Sequence, residues 1–270
     1  MSRLFIEAVG LTDAGSIRQY NEDSIVFDAE SGVMALADGM GGHRAGEVAS
    51  RMATESLLAT LRGRSAEFGS DDDHDSSRLA VEQSIIRANG EIFAAARANP
   101  TYFGMGTTLA VAVFDGRRVT LAHVGDSRIY RLRFNRLEPL TRDDSLLRDQ
   151  VELGLIAAVD AGGSHNRNLV TRAIGIEERV TPHLRDDEVL PGDLYLLCSD
   201  GLNDLVEDSD IELILNSLKA NLPLAIHHLV QAAKDNGGHD NVSAILVRIH
   251  ESTPGVLRGG WLSRLLAWFK

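Results

Sequence analysis

Four aspartates stand beside glycine or a polar turn at the edge of an apolar run: Ala35-Leu36-Ala37-Asp38-Gly39, Val124-Gly125-Asp126-Ser127, Leu197-Cys198-Ser199-Asp200-Gly201 and Gly238-His239-Asp240-Asn241-Val242. Strand ends are rigid mounts. Acids mounted on converging ends would supply hard carboxylate oxygens, which suit Mg2+ or Mn2+ rather than zinc, whose usual Cys and His spacings are missing. The adjacent His227-His228 pair reads as helix surface. Glu22-Asp23, within Arg18-Gln19-Tyr20-Asn21-Glu22-Asp23, precedes another apolar run and adds two acids. Each acid also has a plain structural use. Asp-Gly is first of all a turn signal, as at Asp115-Gly116, and Asp193 sits in a similar turn. Asp200 can cap a short helix starting near Leu202, and Asp240 can close a loop. At this level the metal centre and the structural reading both stand.

Other chemistries fit less well. The glycines of Asp38-Gly39-Met40-Gly41-Gly42-His43 do not make a Walker loop, which needs Gly-Lys followed by Ser or Thr; the only lysines are Lys219, Lys234 and Lys270. A dinucleotide loop would place Asp38 where a pyrophosphate must approach, with the wrong glycine spacing. Cys198 lacks the phosphate loop and arginine of a cysteine phosphatase and reads as a buried strand thiol.

The elements that must position these acids follow from periodicity. Leu4–Gly10 and Ser24–Ala37 read as strands, and Gly46–Leu61 as a helix with a buried face. Arg62–Ser77, with Asp71, Asp72, Asp73 and Asp75, has too little apolar content to pack and reads as a solvated loop. A second helix is predicted over Arg78–Ala98, ended by Asn99-Pro100. Thr107–Phe114 and Val119–Val124 flank Asp115-Gly116 as a hairpin. Ser127–Leu132 predicts a strand, Thr141–Leu153 a short helix, and Gly154–His165 a small-residue stretch without a clear period. Thr181–Glu188 and Leu194–Cys198 read as strands joined by the Pro191-Gly192-Asp193 turn. Helices near Ile211–Leu218 and Leu224–Lys234 and a last strand at Val242–Ile249 follow. Strands and helices alternate in blocks, which favours antiparallel sheets covered by helices over a doubly wound parallel sheet.

Composition narrows the class. The chain has 270 residues, 44% of them hydrophobic and 24% charged, enough for a full core and incompatible with disorder or a small stapled scaffold. A net charge of −12 repels phosphate backbones and anionic lipid, so general nucleic-acid binding and a carboxylate-metal nuclease are disfavoured. Cys198 alone closes no internal disulfide. With no signal peptide or membrane span predicted, the expectation is a cytoplasmic protein.

Taken in order, the motifs resemble a known family. Arg18 through Asp23, Ala37 through Gly42, Gly106-Thr107-Thr108, Val124-Gly125-Asp126-Ser127-Arg128, Thr171-Arg172-Ala173-Ile174-Gly175, Ser199-Asp200-Gly201-Leu202 and Asp240-Asn241-Val242 are similar to those of the metal-dependent PPM-type serine/threonine protein phosphatases, the protein phosphatase 2C group in its compact bacterial form. The match runs from about Val9 to Val247. The resemblance implies an α+β fold: a four-layer αββα sandwich with two central, mainly antiparallel sheets and a metal centre at one end. It implies Mn2+ or Mg2+ as cofactor, two ions per site and a third in bacterial relatives. Asp38 would bridge the two ions, with the Gly39 carbonyl and Glu22 on one and Asp200 and Asp240 on the other. Asp126 with Asp200 would hold the third. Asp23 and Asn241 would support the ligands from behind. Arg18 matches the position that holds the substrate phosphate, where a guanidinium makes paired hydrogen bonds.

The implied reaction is hydrolysis of phosphoserine and phosphothreonine by metal-activated water, opposing a bacterial Ser/Thr kinase. A non-catalytic phosphoprotein-binding regulator on the same fold is the alternative. One position departs from the pattern: many eukaryotic relatives carry His after the Asp-Gly pair, where this chain has Met40. The proton donor to the leaving group is therefore open, with His43 and a water at the metal centre as candidates and a plain helix-entry role as the alternative for His43. Val151–Asn166 corresponds to the family's variable flap, expected to influence substrate choice. The expected organisation is a phosphatase domain over residues 1–252 and a tail over 253–270. The segment Trp261–Lys270 carries both tryptophans beside Arg264 and Lys270, and its readings are a membrane surface, a partner protein or its own domain.

Overall fold

The computed structural model describes residues 4–42, 45–62, 74–152 and 169–251. In chain order the elements are β1 (Leu4–Asp13), β2 (Asp23–Asp28), β3 (Val33–Met40), α1 (Ala45–Arg62), α2 (His74–Ala98), β4 (Gly106–Thr107), β5 (Leu109–Asp115), β6 (Arg118–Val124), β7 (Arg128–Arg133), β8 (Arg136–Pro139), α3 (Leu146–Glu152), β9 (His183–Glu188), β10 (Leu194–Cys198), α4 (Asp200–Asn203), α5 (Asp208–Leu218), α6 (Leu222–Asp235) and β11 (Val242–Glu251). One sheet runs β1-β11-β10-β7-β8; the other runs β2-β3-β5-β6-β9, with β4 paired on β3. Every pairing is antiparallel.

The two-residue strand period builds the four layers. On β3, Val33, Ala35 and Ala37 pack on Ala49, Ala53 and Leu57 of α1 and Ile85 and Ile92 of α2. Met34 and Leu36 face the other way, onto Tyr195, Leu197, Ile245 and Val247 of the opposite sheet. On β10, Leu194, Leu196 and Cys198 turn outward to Ile211, Leu215 and Leu229 of α5 and α6. Both faces of each central strand are thus buried, which is the expected αββα sandwich.

Several boundaries differ from the sequence expectation. The second helix starts at His74 rather than Arg78, inside the stretch read as a loop. Charge alone does not separate a solvated loop from a helix start, where acids are favoured. The Thr141–Leu153 helix begins only at Leu146; Asp144 is held in extended pairing, its N–H on the Gly125 carbonyl (2.9 Å) and its carbonyl on Thr171 N–H (2.8 Å). The Pro191-Gly192-Asp193 turn joins two strands, as expected. It carries the chain from β9 in one sheet to β10 in the other, and Asp193, buried there, receives the Arg133 guanidinium at 2.6 and 2.8 Å. Strand β8 was not expected, because its polar residues and Pro139 make a weak edge signal.

Candidate metal centre

Strand pairing brings the acids to one end of the sandwich. Asp23 opens β2 directly opposite Asp38 near the end of β3. Asp126 follows β6, whose last residue, Val124, pairs with Leu109 at the start of β5. In the other sheet Asp200 follows β10 and Asp240 precedes β11, where Cys198 pairs with Ala244. The Asp38, Asp23, Asp200 and Asp126 carboxyls are close enough to repel one another, and Asp240 acts likewise on Asp200 and Glu22.

Small hydroxyl groups join the sheets behind the acids. Ser199 Oγ donates to Asp23 Oδ2 (2.9 Å) and accepts from Ser243 N–H (3.0 Å). The Asp38 carbonyl accepts from Thr108 N–H (2.9 Å) and Thr107 Oγ1 (2.7 Å). Thr108 Oγ1 in turn lies 2.7 Å from Ser127 Oγ, beside Asp126. Asn241 ties down the loop before β2: its Oδ1 accepts from Glu22 N–H (2.8 Å), and its Nδ2 donates to the carbonyls of Ala14 (3.1 Å) and Tyr20 (2.9 Å). Two glycines allow the backbones to meet. A Cβ on Gly39 would lie 2.2 Å from the Gly46 carbonyl oxygen, and one on Gly201 1.9 Å from that of Asn241.

The electrostatics are those of crowded, desolvated acids. Burial pushes Asp38 well above the ordinary carboxylate range, reinforced by the charges of Asp23, Asp200 and Asp126. Burial, with Asp200 nearby, pushes Asp23 up to about 7 and Asp126 up to about 8. Asp200 itself is pushed up to about 6, first by burial and then by Asp240 and Asp204. Burial also raises Glu22, against the pull of Arg18. Oδ1 of Asp200 and Oδ1 of Asp23 are buried and accept no hydrogen bond, which is costly unless a cation takes their place as partner. A set of hard oxygens with unsatisfied acceptor capacity fits Mg2+ or Mn2+.

Arg18 stands on the rim, its side chain 52% exposed, and donates from Nη2 to Asp240 Oδ2 at 2.8 Å. That hydrogen bond, ahead of the charges of Glu22 and Asp38, raises its pKa. Cys198 is buried, and burial pushes its thiol up to about 12, so it offers no thiolate. His43, most of the flap (residues 153–166) and the tail from residue 252 onward lie outside the described residues. Sequence reading missed the bracing by Ser199, Thr107 and Thr108. Their signal is a small hydroxyl residue interrupting an apolar strand end. It also missed Asp143, which holds Arg128 in a fork at 2.6 and 2.8 Å and contributes to the raised pKa of Asp126.

Residues 15–231 match the family model described as protein phosphatase 2C. The chain is 39% identical over 248 residues to the serine/threonine protein phosphatase PstP of Mycobacterium tuberculosis; the alignment covers 91% of this chain and 45% of that protein, so the chain spans about half its length. It is 37% identical over 242 residues to the serine/threonine phosphatase Stp of Listeria monocytogenes, covering 87% of this chain and 93% of the relative. Among solved structures, the catalytic domain of PstP in complex with two manganese ions superposes with a TM-score of 0.80 at 35% identity, over 92% of this chain and 99% of that one.

Proposed function

The chain belongs to the protein phosphatase 2C family, and from that premise we propose that it hydrolyses phosphoserine and phosphothreonine in proteins, reversing the action of a Ser/Thr kinase. The observation that carries this reading is the convergence of Asp38, Asp126, Asp200 and Asp240 at one end of the sandwich, with a buried Asp200 oxygen that no protein group satisfies. A phosphoprotein-binding module without catalysis would have no use for so many destabilising acids.

Asp38, the Gly39 carbonyl and Glu22 would hold one Mn2+ or Mg2+; Asp38, Asp200 and Asp240 would hold a second; Asp126 and Asp200 would hold a third. When bound, such ions supply an ionised water as nucleophile and neutralise the phosphate charge. The protein's own part is placement. Ser199 and Asn241 fix Asp23 and the Glu22 backbone, so the acids are set before substrate arrives. Arg18 presents two parallel donors to a phosphate, and its exposure lets the guanidinium turn from Asp240 towards substrate. His43 is the candidate to protonate the leaving serine or threonine oxygen. The net charge of −12 argues against nucleic acid as substrate.

No helix among the described residues is long and apolar enough to cross a membrane. We place the protein in the cytoplasm, with Trp261–Lys270 as a peripheral contact to a membrane or a partner.

Release of inorganic phosphate from a phosphothreonine peptide tests the reading. Turnover is expected with Mn2+, to be lost on chelation and restored by readdition. Saturable binding of the peptide without phosphate release would overturn catalysis in favour of the regulator.

A further inference from the structure

A second cluster of ligand-type side chains lies outside the acidic centre. His123 of β6 and His183 of β9 are direct cross-strand partners, their rings stacked at 4.8 Å with an interplanar angle of 20°. Asp144 approaches from the segment before α3, its Oδ1 2.9 Å from His183 Nε2. One ligand atom from each of the three residues falls within 4.8 Å of the others. We propose that His123, Asp144 and His183 form a metal site for Zn2+, chemically distinct from the acidic centre.

The surroundings are built for it. Asp144 is immobilised: its Oδ2 accepts from Gly125 N–H (3.0 Å), which leaves Oδ1 aimed at His183. His123 Nε2 donates to the Arg142 carbonyl at 2.7 Å, which makes Nδ1 the acceptor nitrogen of that ring, and a backbone carbonyl on the other ring nitrogen is the usual support of a metal-binding imidazole. Burial lowers the pKa of His123 and keeps it neutral, as a ligand must be.

A cation already stands beside this pair: Arg172 Nη1 is 2.8 Å from His183 Nε2 and 3.7 Å from Asp144 Oδ1. His183 Nε2 cannot accept from Arg172 and donate to Asp144 at once; with its lone pair on Arg172, the guanidinium holds the place that a metal ion shared by the imidazole and the carboxylate would take. Arg172 is partly exposed, so a metal ion would displace its guanidinium towards solvent at the cost of its hydrogen bond to the Thr181 carbonyl. A cavity of about 340 Å³ lined by His123, His183, Thr141, Leu140, Arg142 and Arg185 gives access to the two histidines and room for water as a further ligand. Two imidazoles and one carboxylate with an open position are a zinc set, whereas Mg2+ prefers oxygen alone. Bound Zn2+ would staple the edge strand β9 to the segment that holds Gly125, the residue before Asp126.

Equilibrium dialysis of the full chain against Zn2+ in millimolar Mg2+ tests this, because Mg2+ competes at the acidic centre and not at the histidines. One Zn2+ per chain is expected. His183→Gln, at a half-exposed position that folding tolerates, should weaken it by on the order of 100-fold, and should remove the visible absorption of Co2+ bound in place of Zn2+. Failure of the unaltered chain to retain Zn2+ in Mg2+, or equal retention by His183→Gln, overturns the site. Neither outcome depends on phosphatase activity.

Discussion

Asp38→Asn is expected to lower turnover of a phosphothreonine peptide by at least about 10³-fold and, in the same protein, to raise the melting temperature of the metal-free chain. The two effects have one cause. In the metal-free chain Asp38 is a buried carboxyl pressed by Asp23, Asp200 and Asp126, so its ionised form costs stability that the neutral, equally sized amide does not. Each kcal/mol recovered corresponds to about 2–4 °C for a domain of this size. Thermal denaturation at pH 8, read beside initial rates, separates this outcome from misfolding. A variant that loses both activity and stability would show Asp38 to be a structural acid.

The metal-free chain should also lose stability as pH rises from about 4 to 8, and Mn2+ should stabilise it most at the upper end. The sign follows from the raised values. Asp23, Asp126 and Asp200 hold their protons in the folded chain up to about 7, 8 and 6, whereas in the unfolded chain they release them near the ordinary carboxylate pKa of about 3.9. Between those limits the folded state binds more protons. The stabilising contribution is therefore complete below about pH 4 and lost as pH passes through the folded values. Divalent cations compete with those protons, so the difference between the metal-free and Mn2+-bound melting temperatures should widen with pH. At 100 times the dissociation constant, binding contributes about 2.7 kcal/mol, or about 5–10 °C. Melting curves at pH 5 and pH 8, with chelator or Mn2+, check this; a difference independent of pH would contradict it.

Much of this centre was legible because its acids are punctuation. Asp38, Asp126, Asp200 and Asp240 each interrupt an apolar run at its edge, where a carboxylate has no use in a core and a strand end holds it still. The helix covers were readable from Val48, Met52 and Leu57 and their counterparts in α5 and α6, whose apolar faces keep the helical period. The partition of β9 and β10 between sheets was not. Strands such as Leu194–Cys198 are buried on both faces, so no alternation says which sheet they join. The His123, Asp144 and His183 cluster left no spacing signal, because strand pairing and a loop contact assemble it from residues 60 positions apart. The bracing roles of Ser199 and Thr108 were not legible for a related reason: their partners, Asp23 and Ser127, are distant in sequence.

The central claim is that the sandwich-end acids hold divalent cations. Anomalous diffraction from crystals of the chain grown with Mn2+ tests it most directly. The account predicts manganese peaks in direct contact with the carboxylates of Asp38, Asp200 and Asp240. Peaks found solely beside His123 and His183, or none at either place under Mn2+ concentrations that support turnover, would contradict it.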